Sequence, residues 1–166
     1  VTAIFRRQLA VYAQYHRDAR NCMTHLVGIP AIFLAVLLPL ALGQVTIAGL
    51  HTTVAAMVLL PAVIGWIALD AAVGAAMLIA IVPLVLTAEW IARAGGPAIA
   101  WPAAALLFVI GWALQIIGHV AFERRRPALV DNLFQMFIGP MFMTAKILVR
   151  LGLRSDLDAA LQGVAD

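Results

Sequence analysis

From Val45 to Ile91 the chain is almost continuously apolar, and Asp70 is the only charge between Arg20 and Glu89. Such a stretch is roughly twice the 20 residues that carry a helix across a bilayer. In hydrocarbon every backbone N–H and C=O must find its partner within the protein, which restricts a spanning segment to a helix or a closed barrel. The run therefore predicts two helical spans folded back on each other, with the tight turn at Asp70. Trp66, one turn earlier, is expected at interfacial depth.

Two further apolar runs flank this one. The first, 22–43, contains His25, Pro30 and Pro39; the prolines kink such a helix and leave carbonyls for neighbours to satisfy. The other, 99–121, follows a loop made by Glu89, Trp90, Arg93, Gly95-Gly96-Pro97 and Trp101. Its tryptophans form an interfacial belt. With 64% hydrophobic and 11% charged residues, the chain is far from the ~25% charge of soluble domains.

Residues 2–17 read as an amphipathic helix with Ile4, Leu9, Val11, Tyr12 and Tyr15 on its apolar side, suited to lying in the interface. The polar run Arg17 to Asn21 predicts a break after it. Residues 133–151 are apolar but interrupted by Gly139-Pro140, which predicts a re-entrant hairpin or an interfacial segment. A short helix is expected in the tail, where Asp158 follows Ser155 by three residues. The expected architecture is an all-α membrane protein of one domain, 1–166. It has an interfacial helix in 1–21, four transmembrane helices in 22–121, and a helical cytoplasmic-face segment and tail in 122–166.

The net charge of +3 does not indicate nucleic acid, because the basic residues are confined to positions that set membrane topology. Arg6, Arg7, Arg17 and Arg20 precede span one and Arg124, Arg125 and Arg126 follow span four, while the loops at 43–50 and 92–98 carry one arginine between them. Four spans then put both ends in the cytoplasm. The composition, rich in arginine and alanine, suggests a bacterial cytoplasmic membrane; in a eukaryote the endoplasmic reticulum is expected. No signal peptide is evident, since the first apolar run follows four arginines and is too long for an h-region. Cys22 is the only cysteine, so no intrachain disulfide and no cysteine zinc site can form.

This topology gathers His16, His25 and His119 at one membrane face, beside Asp18, Asn21, Glu123, Asp131 and Asn132. His51 is placed at the opposite face. A single membrane histidine is ordinarily an interfacial residue bonded to a carbonyl. Three on one face, with carboxylates, suggest a metal site, since polar groups in membranes are costly and often functional. Asn21 and His25 share a helix face, as do His119 and Glu123 if that helix continues. His16 and His25 are nine apart, so they can meet one metal only if the chain turns near Asp18 to Asn21. Imidazole donors suit iron(II), zinc or copper, and a histidine–carboxylate set with open positions suits non-haem iron. The arginines are either topology signals that snorkel or a patch for an anionic head group, since guanidinium matches a carboxylate bidentately.

Two stretches carry a resemblance. Residues 12–30, Y-A-Q-Y-H-R-D-A-R-N-C-M-T-H-L-V-G-I-P, and residues 117–135, I-G-H-V-A-F-E-R-R-R-P-A-L-V-D-N-L-F-Q, resemble the paired motifs of the Mpo-like family of membrane 2-hydroxy fatty acid dioxygenases. The likeness extends over most of residues 10–152. It implies an iron(II) enzyme of fatty-acid alpha-oxidation, taking a 2-hydroxy fatty acid and dioxygen to an acid one carbon shorter, with membrane lipid around it. It places the family histidines on His16, His25 and His119, and further motif positions on Glu123, Asn21, Asn132 and Gln135. In the resulting reading Glu123 and Asn21 assist catalysis, with Glu123 as a possible fourth ligand. Arg20, Arg124 and Arg125 neutralise the substrate carboxylate, and Asp18, Asn132 and Gln135 orient the ligands. Lys146 stands where many relatives have a glutamate. Two rival readings remain: a haem protein with His25 and His119 as axial ligands, and a non-catalytic lipid-binding membrane protein.

Overall fold

A computed structural model describes residues 1–164. The protein is built from seven α-helices and two short strands among those residues. Helix α1 (Ala3–Ala13) is capped by the Thr2 hydroxyl, which accepts the Phe5 N–H. Its apolar side does not face outward as expected. Phe5, Leu9 and Tyr12 are buried in the main core with Ile138, Met141 and Phe142 of α6 (Phe134–Arg150) and Leu157 and Ala160 near the C-terminal end. Fully burying each such side chain contributes about 1.5–3 kcal/mol, so α1 is held as part of the core.

The chain then turns over residues 14–18, a few positions earlier than expected, and α2 (Ala19–Ala41) begins at the Asp18 cap. The turn that the histidine geometry demanded is present, but it precedes Asn21, which already lies in the first turn of α2. Pro30 and Pro39 sit inside the helix.

Residues 45–53 depart from the two-span reading. Strands β1 (Gln44–Ile47) and β2 (Leu50–Thr53) form an antiparallel hairpin with Thr46 opposite His51. Its two-residue turn is Ala48-Gly49, both at positive φ. Helix α3 (Val54–Leu69) is therefore only 16 residues long. His51 is exposed and bonds Thr46 Oγ1 through Nδ1 at 2.9 Å, away from the other histidines.

The expected turn at Asp70 is where the structure has it. Its carboxylate caps α4 (Ala71–Ile117) by accepting the Val73 N–H at 2.9 Å. Trp66 is a correction: rather than sitting at an interface, it is 2% exposed and donates its ring N–H to Phe137 O at 3.2 Å. The expected loop at 92–98 reduces to one sharp bend inside α4, at Gly96 (φ 56°, ψ −161°), a backbone conformation that only glycine adopts easily. Trp90 and Trp101 flank the bend and are exposed.

Two helices, Ala19–Ala41 and Ala71–Glu123, are long and apolar enough to cross a membrane, and α3 is a shorter apolar helix. The second arm of α4 packs against α2 at glycines. A Cβ on Gly28 would lie 2.6 Å from Gln115 Nε2, and one on Gly111 would lie 2.6 Å from Ile32 Cγ1. Two turns further along both helices, a Cβ on Gly118 would overlap Asn21 Oδ1 and Thr24 Oγ1. This close crossing brings the start of α2 against the end of α4.

The segment 133–151 forms one helix, α6, and not a hairpin; Pro140 is inside it and buried. A short helix, α5 (Ala128–Asp131), precedes it. The tail has a single 3-10 turn and α7 (Asp158–Leu161), where a short helix was expected. Arg154 fastens this end to the α3–α4 turn through two bonds to Asp70, at 2.6 and 2.8 Å.

Candidate metal centre

At the close crossing α4 changes character. Residues Gly118–Glu123 form a π-helical turn, ended by Arg124 in the left-handed region at φ 51°. Such turns often mark functional sites. His119 lies in this turn, His25 in the second turn of α2, and His16 in the connection between α1 and α2. All three are buried, at 3% exposure or less.

Their donor atoms lie within 4.8 Å of one another. The ring centroids are 4.6, 4.8 and 5.0 Å apart, and the ring planes are nearly perpendicular in every pair, at 86°, 78° and 85°. The rings of His16 and His25 are oriented by carbonyls. His16 Nδ1 is 3.0 Å from Tyr12 O, and His25 Nδ1 is 2.9 Å from Asn21 O. A carbonyl can only accept, so both Nδ1 atoms carry the proton when the rings are neutral. Their Nε2 lone pairs then face each other at 3.1 Å without a proton between them.

Two lone pairs so placed repel unless a cation lies between them. With a metal–imidazole bond of about 2.0–2.1 Å, as for zinc, two ligands at 90° would have nitrogens about 2.9 Å apart and tetrahedral ones about 3.3 Å. The observed separation falls between these values, so the residues fit a metal ion. Burial, and then the neighbouring His25, hold the His16 pKa well below its ordinary value. It is therefore neutral at pH 7, the form that binds metal. A haem fits poorly, because His16 stands beside the gap between His25 and His119, where the macrocycle would extend.

Glu123 braces the site. Its Oε1 accepts the Asp18 N–H at 2.9 Å and an Asn21 Nδ2–H at 3.1 Å, tying the π-turn to the start of α2. Asn21, fully buried, also reaches Tyr15 O at 3.4 Å. Asp18 spends its carboxylate on the Arg20 backbone and guanidinium. Asn132 is exposed and accepts the Phe134 N–H at the head of α6. Gln135 is buried and bonds Gln8 of α1. The triad is not among the bonding partners of Asn132 or Gln135.

The arginines lie outside the triad. Arg20 is over the Phe122 ring as well as paired with Asp18. Arg125 stacks on Tyr15 at 3.8 Å and donates to Gln14 O, while Arg126 pairs with Asp131, which also accepts the Tyr15 hydroxyl. Arg124 is exposed at the end of the π-turn. Together Arg125 and Arg126 clamp the turn that carries His16.

Four neighbours of the site were missed by sequence reasoning. Tyr12 stacks on His16 at 4.0 Å with planes 6° apart, and Phe142 lies 5.6 Å from the same ring. Lys146 places Nζ 3.1 Å from Cys22 Sγ, which in turn is 3.7 Å from His16 O. Tyr12 carried a signal, as it is four residues before His16. Cys22 lies on α2, three residues before His25, while Phe142 and Lys146 come from α6, whose approach no local pattern reveals. An apolar cavity of about 260 Å³ opens beside His25, between α2, the first arm of α4 and α6, and is lined by Ile29, Phe33, Met77, Ile81 and Met143 among others.

Residues 2–151 match the family model described as 2-hydroxy-palmitic acid dioxygenase Mpo1-like. The chain is also 47% identical over 57 residues to 2-hydroxy-palmitic acid dioxygenase MPO1 of Saccharomyces cerevisiae. That alignment covers 34% of this chain and 33% of the yeast protein, so the chain spans about a third of the length of this curated relative. No solved structure matches. With its paired motifs and buried triad inside a match of nearly the whole chain, this protein belongs to the Mpo1-like family.

Proposed function

We propose that this protein is an iron(II)-dependent membrane dioxygenase that cleaves 2-hydroxy fatty acids to acids one carbon shorter. The observation that carries the reading is the buried triad of mutually perpendicular imidazoles beside an apolar cavity. Family membership supplies the reaction class. His16, His25 and His119 hold the metal, and the Tyr12 and Asn21 carbonyls orient two of the rings. The cavity accepts the acyl chain, which enters between α2 and α6 from surrounding lipid.

Iron(II) would supply a redox-active centre with positions open to dioxygen and substrate. Zinc offers no redox change, which favours iron between the two. The overall change balances as R–CH(OH)–COOH + O2 giving R–COOH + CO2 + H2O. All four electrons taken by dioxygen come from the substrate, so no external reductant enters. Tyr12, Phe142 and the surrounding apolar side chains keep bulk water from the triad. Glu123 and Asn21 hold the π-turn and the head of α2 at the spacing that the ligands require.

The membrane reading joins α2, α3 and the two arms of α4 as four passes, with the triad, the 124–126 arginines and Asp70 at the cytoplasmic face. Support comes from Arg154 and Asp70 meeting at that end, while the β-hairpin and Gly96 lie at the other. Reporter fusions after Asp70 and at Gly96 test this arrangement.

The main test is metal and turnover together. After anaerobic iron loading, wild type is expected to hold about one iron per chain and to convert 2-hydroxypalmitate, with oxygen uptake, to the shortened acid. His16→Ala, His25→Ala and His119→Ala lose both. Wild type without iron, or variants that retain wild-type iron, would overturn the assignment.

A further inference from the structure

The head group of a 2-hydroxy acid carries a negative charge to the triad; of the arginines expected to meet it, Arg20 and Arg125 are engaged elsewhere and Arg124 is exposed at the end of the π-turn. Lys146 is the cation directed inward. It is half-buried on α6, and its ammonium contacts Cys22 Sγ at 3.1 Å and the face of Phe142 at 5.2 Å. Among the described residues no carboxylate pairs with it. An ammonium partly withdrawn from water without an anion is unfavourable, so its placement suits an anionic partner that arrives from outside the chain.

The position fits a substrate head group. Lys146 lies between Met143 and Ile147, which line the acyl cavity, and its two contacts both lead to His16. Phe142 is 5.6 Å from the His16 ring, and Cys22 Sγ is 3.7 Å from His16 O. The ammonium is thus near the triad, on the flank of α6 beside the cavity-lining residues Met143, Thr144 and Ile147. Arg20, by contrast, is 68% exposed and paired with Asp18, and Arg126 is 68% exposed and paired with Asp131.

We infer that Lys146, placed by Cys22 and Phe142 beside the histidine triad, is the substrate-binding cation that receives the carboxylate of the fatty acid. The inference rests on the proposed dioxygenase reading for the identity of the acid. Its content is separate: the site distinguishes a charged acid from its neutral ester, and Lys146 makes that distinction.

Binding separates the two ideas. Full-length protein in detergent is titrated with 2-hydroxypalmitate and with its methyl ester, following intrinsic fluorescence and the thermal transition. Wild type is expected to bind the acid at least tenfold tighter than the ester, the ratio for one charge-assisted hydrogen bond of about 1.4 kcal/mol. Lys146→Met, of similar length and without charge, binds both equally, and Lys146→Arg restores the preference. Lys146→Met should also be at least as thermally stable without ligand, because a half-buried charge with no carboxylate partner has gone, which distinguishes lost binding from misfolding. Equal binding of acid and ester by wild type, or an acid preference kept in Lys146→Met, overturns the inference even if iron and turnover are as proposed. An acid preference lost in Lys146→Met from a protein that never consumes oxygen sustains the inference and sinks the dioxygenase reading.

Discussion

Replacing Glu123 by glutamine asks whether this carboxylate is a metal ligand or a brace. Its Oε1 receives the Asp18 N–H at 2.9 Å and Asn21 Nδ2 at 3.1 Å. Hydrogen bonds to a charged acceptor contribute about 1.5–3 kcal/mol and neutral ones about 0.5–1.5. The amide oxygen of Glu123→Gln keeps both bonds but loses the charge, so the expected destabilisation is about 1–2 kcal/mol. Glu123→Ala removes both bonds and leaves Asn21 Nδ2 with only its long 3.4 Å bond to Tyr15 O. That variant should lose about 2–4 kcal/mol and bind iron about 10–100-fold more weakly, as when a group supporting a ligand is removed.

The assay is iron per chain at saturating metal, together with the electron paramagnetic resonance spectrum of the nitric oxide adduct. A brace predicts full iron and an unchanged spectrum in Glu123→Gln. Loss of iron at saturation, or a new spectrum, would put Glu123 on the metal and refute the division of labour argued from the geometry.

Gly118→Ala puts a methyl group into Asn21 Oδ1 and Thr24 Oγ1; separating α2 from the π-turn should cost about 1–3 kcal/mol and reduce iron affinity, read by denaturation and metal titration. Asp70→Asn keeps an N-cap for α4 but takes one of two carboxylate partners from Arg154, which retains Asp156, and should cost about 1.5–3 kcal/mol at pH 7. Burial pushes the Asp70 carboxyl up, but the Arg154 bonds, the Val73 N–H and nearby positive charge outweigh it, so its pKa is held below the ordinary 3.8. The stabilisation is therefore complete above pH 3.8 and fades as pH falls through the lower folded value, so the gap between wild type and Asp70→Asn should close in acid denaturation curves. Ala80→Trp fills the cavity beside His25 and should shift the preferred substrate to shorter 2-hydroxy acids, measured as kcat/KM against chain length.

Much of the fold was legible because a charge or a glycine inside an apolar run has few explanations. Asp70 could only be a turn, and Gly95-Gly96-Pro97 could only be a break, although the break proved to be one residue deep. The hairpin at 44–53 was hidden by its own composition. Val45, Thr46, Ile47 and Thr52 are at home in a strand, but they continue an apolar run whose helix and strand readings periodicity cannot separate. Its turn, Ala48-Gly49, lacks the Asn-Gly or Asp-Gly signature of such hairpins. Trp66 was assigned to an interface by type and was instead buried by α6, a contact that arises 71 residues away.

The triad was legible for a related reason: three imidazoles at the ends of apolar helices are expensive unless they converge. Sequence topology placed them on one face, and the close α2–α4 crossing accounts for their meeting. For the arginines, the sequence offered charge without direction. Arg125 and Arg126 point back over the turn at His16, where stacking on Tyr15 and pairing with Asp131 consume them. Only helix packing shows that α6 turns Lys146 inward. A family position that looked like a defect on paper therefore stands where an anionic substrate would need it. Two of the charges that look available in sequence, Arg125 and Arg126, clamp the turn that carries His16. The charge that looked misplaced, on Lys146, has no carboxylate partner among the described residues and lies near the triad, where it can meet one.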